Sequence, residues 1–436
     1  MGSIFSDSAG MRMLSPARRV SRVAPVKRRR ACALVFDESP CAYGGVTESL
    51  TAALREAEAR ATFALYGSTA ENYPDRRGRR LRESGRGIRY AHLPDFEADA
   101  QGGAAACPEL VAEILRSGCA AAAGGYRFIP NGRAFFSKRR AFMTAEESFD
   151  DLQRLTELLT AQGAGATAYL PPFGATLIAD GRSVYDVCNA LGLDCLVPAH
   201  SFGAQFYTGE DEKAEAERIL RAFRARLNAN AAYFDGKVVR LDGGKSPRLK
   251  EPVAPLVIRR LLALLKDNGY ELTTVDGLLA RSPFSDLTAE DEAFAAAKAM
   301  LDRGYTVCCR DSAFRPNAAV TREELYAMLV PPNIMRDYML SRLKKTEPVF
   351  PLNRRSEKEF LMSPGSAVSA GMFYGYEVGW PLGHRQAAMT PHSFAVFLDK
   401  AAAGKRLDWK PPADGTLLKK DLISALDQLI RAEQAV

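Results

Sequence analysis

From residue 31 onward, short apolar runs alternate with stretches whose apolar positions recur every three to four residues. Residues 31–36 read as a buried strand, 47–60 as a helix and 61–66 as a second strand. A polar, arginine-rich insertion follows over about 68–106. The rhythm resumes with a helix at 108–116, a small-residue strand at 119–123 and a long helix opened by Thr144, where Glu147 has the spacing of a capping box. Strands are predicted at 166–170, 194–198, 237–241 and 271–275, separated by helices at 183–191, 210–228 and 251–268. Such alternation predicts an α/β fold with a parallel sheet, as a barrel or doubly wound. Seven or so strands in about 250 residues favour the barrel.

At Ser282-Pro283 the alternation stops, and the chain becomes helical with loop punctuation. Gly304-Tyr305-Thr306-Val307, followed by Ala318-Ala319-Val320-Thr321 and an apolar run at 325–329, is echoed by Gly375-Tyr376-Glu377-Val378, Ala387-Ala388-Met389-Thr390 and 394–398. A third, partial copy starts at Asp414-Gly415-Thr416-Leu417. Two tetrapeptides in the same order before matching helices predict an internal repeat. The expected organisation is a tail at 1–30, a barrel at 31–281 and all-α repeats at 282–331, 332–402 and, in part, 403–436.

Charge changes this picture only at the N-terminus. The 436 residues carry 59 Lys and Arg against 52 Asp and Glu, a net +7. Residues 1–30 hold eight of the basic residues and one acid, leaving 51 of each sign elsewhere. A neutral body excludes a generally basic nucleic-acid-binding surface, and no specific nucleic-acid partner is expected. No apolar run reaches the roughly 18 residues of a transmembrane helix. The tail, with Arg12, Arg18, Arg19, Arg22 and the run Lys27 to Arg30, reads as a solvated disordered extension, as a basic arm for an anionic polymer or membrane surface, or as a misread start. It lacks the apolar centre of a secretory signal. Met1-Gly2-Ser3-Ile4-Phe5-Ser6 fits the loose myristoylation pattern.

The eight cysteines form no C-x-x-C pair and read as buried thiols. The four histidines, His92, His200, His384 and His392, show no paired metal-ligand spacing. At the end of the first strand, Val35-Phe36-Asp37-Glu38-Ser39-Pro40 sets two carboxylates side by side on what would be a barrel's catalytic face. Adjacent acids there can hold a metal and activate its water, or can cap a turn. Both readings fit the spacing.

This motif resembles the T-F-D-D-G-P segment of the polysaccharide deacetylases, family 4 of the carbohydrate esterases. Further resemblances follow in the family's order: Ala61-Thr62-Phe63 to its A-T-F-F strand, Leu170-Pro171-Pro172-Phe173-Gly174 to R-P-P-Y-G, Val238 to Gly243 to I-V-L-L-H-D, and Gly269 to Val275 to the closing G-Y-x-F-x-T-V. Together they cover about 31–280 and imply the family's distorted (β/α) barrel and action on N-acetylated glycans. The resemblance implies Asp37 as catalytic base and Glu38 as metal ligand. The H-x-x-x-H segment falls instead on Gly124 and Phe128, the base-orienting arginine on Leu170, and the general-acid histidine on Asp242. A degenerate site without cofactor is therefore expected. The alternative is an active deacetylase whose zinc or other divalent metal sits in a rebuilt site that includes His200. Tyr126, Pro172 and Phe173 are candidate glycan-binding residues, since aromatic faces stack on sugar rings.

The C-terminal repeat resembles the S-layer homology repeat. Phe284-Ser285-Asp286-Leu287, then 294–301, Gly304-Tyr305, Phe314-Arg315-Pro316 and Thr321-Arg322-Glu323-Glu324 follow its F-x-D-V, W-A, G-I, F-x-P and T-R-A-E elements. The resemblance implies binding of acidic cell-wall polysaccharide, with Asp286, Arg322 and, in the third copy, Lys419 as candidate residues. Arg322 can equally be a helix-start residue in a capping pair with Glu323 or Glu324. The expected protein is a glycan-binding or vestigial deacetylase module held at the cell surface or cell wall by the repeats, with a cytoplasmic scaffold as the alternative. Substrate and oligomeric state do not follow from the sequence.

Overall fold

The computed structural model describes residues 14–25, 29–68, 102–129, 131, 143–178, 182–202, 211–243, 251–344, 387–402, 407–412 and 415–434. They form two compact units, one of Arg19–Ser282, the other joining Met1–Arg18 to Pro283–Val436.

The first unit is a distorted (β/α) barrel, as expected. Its strands are β1 (Arg19–Val20), β2 (Ala31–Ser39), β3 (Thr62–Leu65), β4 (Ala120–Ala123), β5 (Ala168–Tyr169), β6 (Asp194–Leu196), β7 (His200–Phe202), β8 (Val238–Asp242) and β9 (Glu271–Thr273). They pair in parallel in the order β1-β6-β5-β4-β3-β2-β8-β7, and β9 adds to the start of β2. All nine residues of β2 are buried, as a strand covered on both faces requires. Inward positions carry aliphatic side chains, half of them alanine: Ala33, Val35, Ala64, Ala122, Ala168, Leu170, Leu196 and Val238 form one core. The opposite face of β2 and β3 pairs the rings of Phe36 and Phe63 at 5.0 Å beneath helices whose apolar stripes face the sheet. These helices are α1 (Val46–Glu56), α2 (Pro108–Arg116), α3 (Ala145–Ala161), α4 (Val184–Leu191), α5 (Glu212–Ala229), α6 (Ala254–Asp267) and α7 (Val275–Arg281). In α6, Val257, Ile258, Leu261, Leu262 and Leu265 give the three-and-four spacing of a core-facing stripe. The predicted capping box closes α3: Thr144 and Glu147 each accept the other's backbone N–H.

Two expectations change. The basic segment is structured over residues 14–25. Within it Val20 and Val23 are buried in the barrel core while Arg22 between them is exposed. Val20 carbonyl accepts from Val197 N, Ser21 carbonyl from Val238 N, and Val23 N donates to Gly236 carbonyl. The segment thus bridges β6 and the approach to β8 at the end of the barrel where the strands begin. Charge density masked an apolar pattern only two valines long. The second change is at His200, which starts its own short strand instead of following one. Most of the arginine-rich insertion, residues 69–101, lies outside the described residues.

The second unit is helical, with α8 (Phe294–Asp302), α9 (Arg322–Leu329), α10 (Pro332–Lys344), α11 (Pro391–Ala401) and α12 (Lys419–Gln434). Its core takes Phe284, Met300, Phe314 and Leu325 from the first predicted repeat, Phe394 and Leu398 from the second, and Leu422 and Leu426 from the third. The echoed helix starts meet. Thr321 bridges Ala388, Met389 N donates to Val320 carbonyl at 2.7 Å, Ala319 bridges Leu418, and Lys419 N donates to Ala318 carbonyl at 3.0 Å. Thr321 and Thr390 both cap their helices with reciprocal boxes. The Gly375 to Val378 half of the echo lies outside the described residues. Among the described residues no helix is long and apolar enough to cross a membrane.

Candidate functional site at the barrel mouth

The strand ends that carry Asp37 and Glu38 are shaped by a bulge. β2 and β3 pair Phe36 with Phe63, then Ser39 with Leu65, so Asp37 and Glu38 together oppose the single Ala64. Adjacent strand residues ordinarily point to opposite faces. A bulge re-aims one of them, and Glu38 adopts the left-handed φ of +59°. A side chain rarely takes this conformation, and such residues concentrate at functional positions.

On the other flank of β2, Asp37 pairs in register with Asp242 of β8. Period two puts Arg240 on the same inward face as Asp242, one layer deeper. Its guanidinium Nη2 lies 2.6 Å from Asp37 Oδ2 and donates to Asp242 Oδ1 at 3.3 Å. Asp37 Oδ1 accepts Glu38 N at 2.9 Å. Gly243 N donates to Asp37 carbonyl at 2.8 Å. A Cβ at Gly243 would lie 2.7 Å from that same oxygen, so the close approach of β8 to β2 requires glycine there. All four charged side chains are buried, Asp37 completely and Glu38, Arg240 and Asp242 at 5–6% exposure. Glu38 Oε2 has no hydrogen-bond partner among the described residues.

Burial sets the electrostatics. Desolvation raises the Asp37 carboxyl above its ordinary value, and Arg240 opposes that. Desolvation, with Asp242 and Asp37 as neighbours of like charge, pushes Glu38 well above the carboxylate range, so its neutral form is favoured. For Arg240, burial disfavours the charge, but Asp37, Asp242 and Glu38 together outweigh it and keep the guanidinium protonated. The cluster is a buried cation held between carboxylates, with the neutral form favoured at Glu38, whose buried Oε2 has no hydrogen-bond partner among the described residues.

The other candidates divide. Leu170 is buried in the apolar core of the barrel, and Arg240 reaches Asp37 from the neighbouring strand. Gly124 packs so closely that a Cβ would sit 3.0 Å from Leu65 carbonyl. Phe128 is fully buried, its ring 5.7 Å from that of Tyr66. Tyr126 is not an open stacking platform: it is 8% exposed, and the Arg154 guanidinium covers its ring at 3.7 Å. Its backbone N–H and that of Arg127 bind the buried Asp151. Pro172 is buried in a 3-10 turn, and the Phe173 side chain lies outside the described set. His200 is in register with Val239, on the face opposite Arg240 and Asp242, with its ring 5.1 Å from Tyr233. Burial, then Lys237 and Arg226, lower its pKa to about 4. It is a neutral packing residue of the outer layer, away from Glu38. His92 lies outside the described residues.

The described donor set does not suit a divalent metal. Among the described residues no imidazole joins this corner, the carboxylates of Asp37 and Asp242 meet a guanidinium, and no group of three or more metal-ligating side chains is assembled. The residue that sequence reasoning missed is Arg240. The signal was the inward period of Val238, Arg240 and Asp242.

In the second unit, Asp286 accepts Phe314 N at 2.7 Å and Arg315 N at 2.9 Å, closing the loop that leads to α9. Arg322 is exposed at the first position of α9, and the capping partner of Thr321 is Glu324. Lys419 is not a surface ligand. It is 3% exposed, its Nζ donates to Val307 carbonyl at 2.5 Å, and it lies 4.6 Å above the Phe314 ring. Removal from water lowers its pKa.

Residues 25–195 match the family model described as Polysaccharide deacetylase. That stretch of the barrel is polysaccharide-deacetylase-like and includes Asp37 and Glu38. Among solved structures, the chain is similar to a family 4 carbohydrate esterase pseudoenzyme from Bacillus anthracis at 14% identity, over 61% of this chain and 70% of that one, with a TM-score of 0.39. It is also similar to a peptidoglycan deacetylase from Bacillus subtilis at 14% identity over 58% and 92% of the two chains, TM-score 0.37. A family 4 carbohydrate esterase from Streptomyces lividans gives 17% over 56% and 91%, TM-score 0.35. No curated protein matches.

Proposed function

We propose that the barrel is a deacetylase-like module that binds an N-acetylated cell-wall glycan without removing its acetyl groups. The observation that carries this reading is the buried Asp37–Arg240 ion pair: the acid that the resemblance makes the base is bound to an internal cation, in a corner with no imidazole among the described residues. The Arg240 guanidinium occupies Asp37 Oδ2 at 2.6 Å, so an internal cation holds that oxygen. Glu38 retains a donor and acceptor for a sugar hydroxyl or acetamido group, and Phe173 stands at the position of the family's aromatic residue. Under this reading the C-terminal unit acts as an S-layer-homology-like anchor at the cell surface, in which the exposed Arg322 offers its planar fork to a polymer carboxylate.

The purified chain, incubated with chitin oligomers and with peptidoglycan, is expected to retain glycan and release no acetate. Acetate turnover abolished by Asp37→Ala would overturn the non-catalytic reading. In pull-down on cell-wall sacculi, Arg322→Ala should be retained at least about tenfold less than the parent protein. Equal retention removes Arg322 from the anchor.

A further inference from the structure

Where the N-terminal segment meets the approach to β8, Arg22 bridges Lys237 in an antiparallel pair. The flanking bonds run from Val238 N to Ser21 carbonyl and from Val23 N to Gly236 carbonyl. That pattern makes Arg22 and Lys237 a non-hydrogen-bonded pair, the kind in which two side chains stand closest on one face. Like charges so placed repel. Two further groups join them around one ring. Lys237 Nζ lies 3.7 Å from the centroid of the Tyr233 ring, Arg226 Cζ 6.0 Å and the His200 ring 5.1 Å. Among the described residues no carboxylate forms an ion pair with Arg22, Arg226, Lys237 or His200. Arg226 Nη1 donates to Ala222 carbonyl at 2.9 Å, and Asp235, two residues before Lys237, accepts Ala31 N at 3.0 Å. An aromatic ring attracts a cation but carries no net charge, so this patch stays positive. Its effect reaches His200, whose pKa is lowered to about 4 by burial and then by Lys237 and Arg226. Arg22 is exposed, and Lys237, Arg226, Tyr233 and His200 are half-buried.

We infer that Arg22, Arg226 and Lys237, with Tyr233 and His200 beside them, form a docking surface for an acidic polysaccharide whose carboxylates supply the counter-charge. Two of the cations are guanidinium forks, which suit carboxylate oxygens, and the ammonium adds a point charge. A nucleic acid fits the patch less well. It would call for a longer track of cations or for open aromatic faces on which bases stack. Beyond residue 30 the chain instead balances 51 basic against 51 acidic residues, and the half-buried Tyr233 ring already carries Lys237. The surface lies at the floor end of the barrel, opposite Asp37 and Glu38, and depends neither on the glycan reading of the mouth nor on Arg322.

The test uses the full-length protein with Arg322→Ala, so that the residue proposed as the anchor contributes nothing. Its probe is fluorescently labelled oligogalacturonate, with anisotropy for binding and the His200 imidazole signal of histidine-labelled protein for location. The oligomer should bind at low salt, weaken as salt rises, and raise the His200 pKa, because bound carboxylates offset Arg226 and Lys237. Arg22→Met combined with Lys237→Met should bind at least about tenfold more weakly, whereas Lys237→Arg should bind as the parent does. If the double variant does not fold, Arg22→Glu, at an exposed position, takes its place with the same expected loss. A neutral chitin oligomer should leave the His200 signal unmoved. Oligogalacturonate that binds without moving His200, or that binds the charge-deleted and parent proteins equally, overturns the inference. So does an oligonucleotide of equal charge that moves His200 at lower concentration than oligogalacturonate, which would assign the surface to nucleic acid.

Discussion

Glu38 makes the sharpest prediction about the barrel, because its burial couples one proton to folding. In the fold its carboxyl is desolvated and faces Asp242 and Asp37, so its proton is held to higher pH than in the unfolded chain. The unfolded state then binds fewer protons than the folded state once pH exceeds the ordinary carboxylate value, and stability falls as pH rises, until Glu38 ionises in the fold as well. One retained proton corresponds to a slope of about 1.4 kcal/mol per pH unit. For a unit of this size that is roughly 3–5 °C in midpoint per pH unit. Glu38→Gln keeps the shape and removes the proton. Its amide can add a constant offset, but it cannot add a slope. The assay is unfolding from pH 5 to 8, followed by far-ultraviolet circular dichroism. Both tryptophans, Trp380 and Trp409, lie after Pro283, so indole fluorescence reports the second unit and serves as an internal control. The parent protein should lose stability with rising pH faster than Glu38→Gln by about that slope, with the fluorescence transition of the two proteins unchanged relative to each other. Superimposable pH profiles would mean that Glu38 is already ionised in the folded barrel, and would refute the account of the site's charge.

Gly243→Ala should destabilise the barrel by about 1–3 kcal/mol, measured by urea unfolding, because its Cβ would press on Asp37 carbonyl from 2.7 Å. Lys419→Met leaves the buried Val307 carbonyl without its donor. It should cost the second unit about 1–3 kcal/mol, read by fluorescence of Trp409, which packs 5.1 Å from Phe394. By contrast Arg322→Ala, at an exposed position, should stay within about 0.5 kcal/mol of the parent protein in the same assay.

What the sequence made legible follows from signal length. From residue 31 the alternation of apolar runs and amphipathic stretches continues for over 200 residues, and the strands and helices it predicts lie within a few residues of those observed. The capping box at Thr144 was readable because its chemistry is local. Strands β1 and β7, of two and three residues, are too short to repeat a period-two pattern and depend on tertiary pairing. At the site, Asp37 and Glu38 announced themselves as adjacent acids on a strand end. Arg240 did not, since an arginine in a strand normally extends to solvent, and only closure of the barrel turns its face inward. Lys419 misled for the converse reason: a lysine at a helix start looks like surface, and its burial depends on contacts with Val307 and Phe314, over a hundred residues away in sequence.

The segment that links β6 to the approach of β8 gives the basic N-terminus a mechanical meaning. Val20 and Val23 plug the floor of the barrel, and the backbone between them covers amides that would otherwise form an open sheet edge. A fragment begun at Ala31, the boundary that charge alone suggests, would leave β6 unpaired at Cys195 and Leu196 on the edge away from β5, and the floor hollow. Exposed strand edges of this kind template association with other sheets. Such a fragment should therefore self-associate in light scattering, whereas one begun before Arg19, with its second unit intact, should not. The exposed Arg22, between the two valines, then puts a charge on the solvent side of that covered edge.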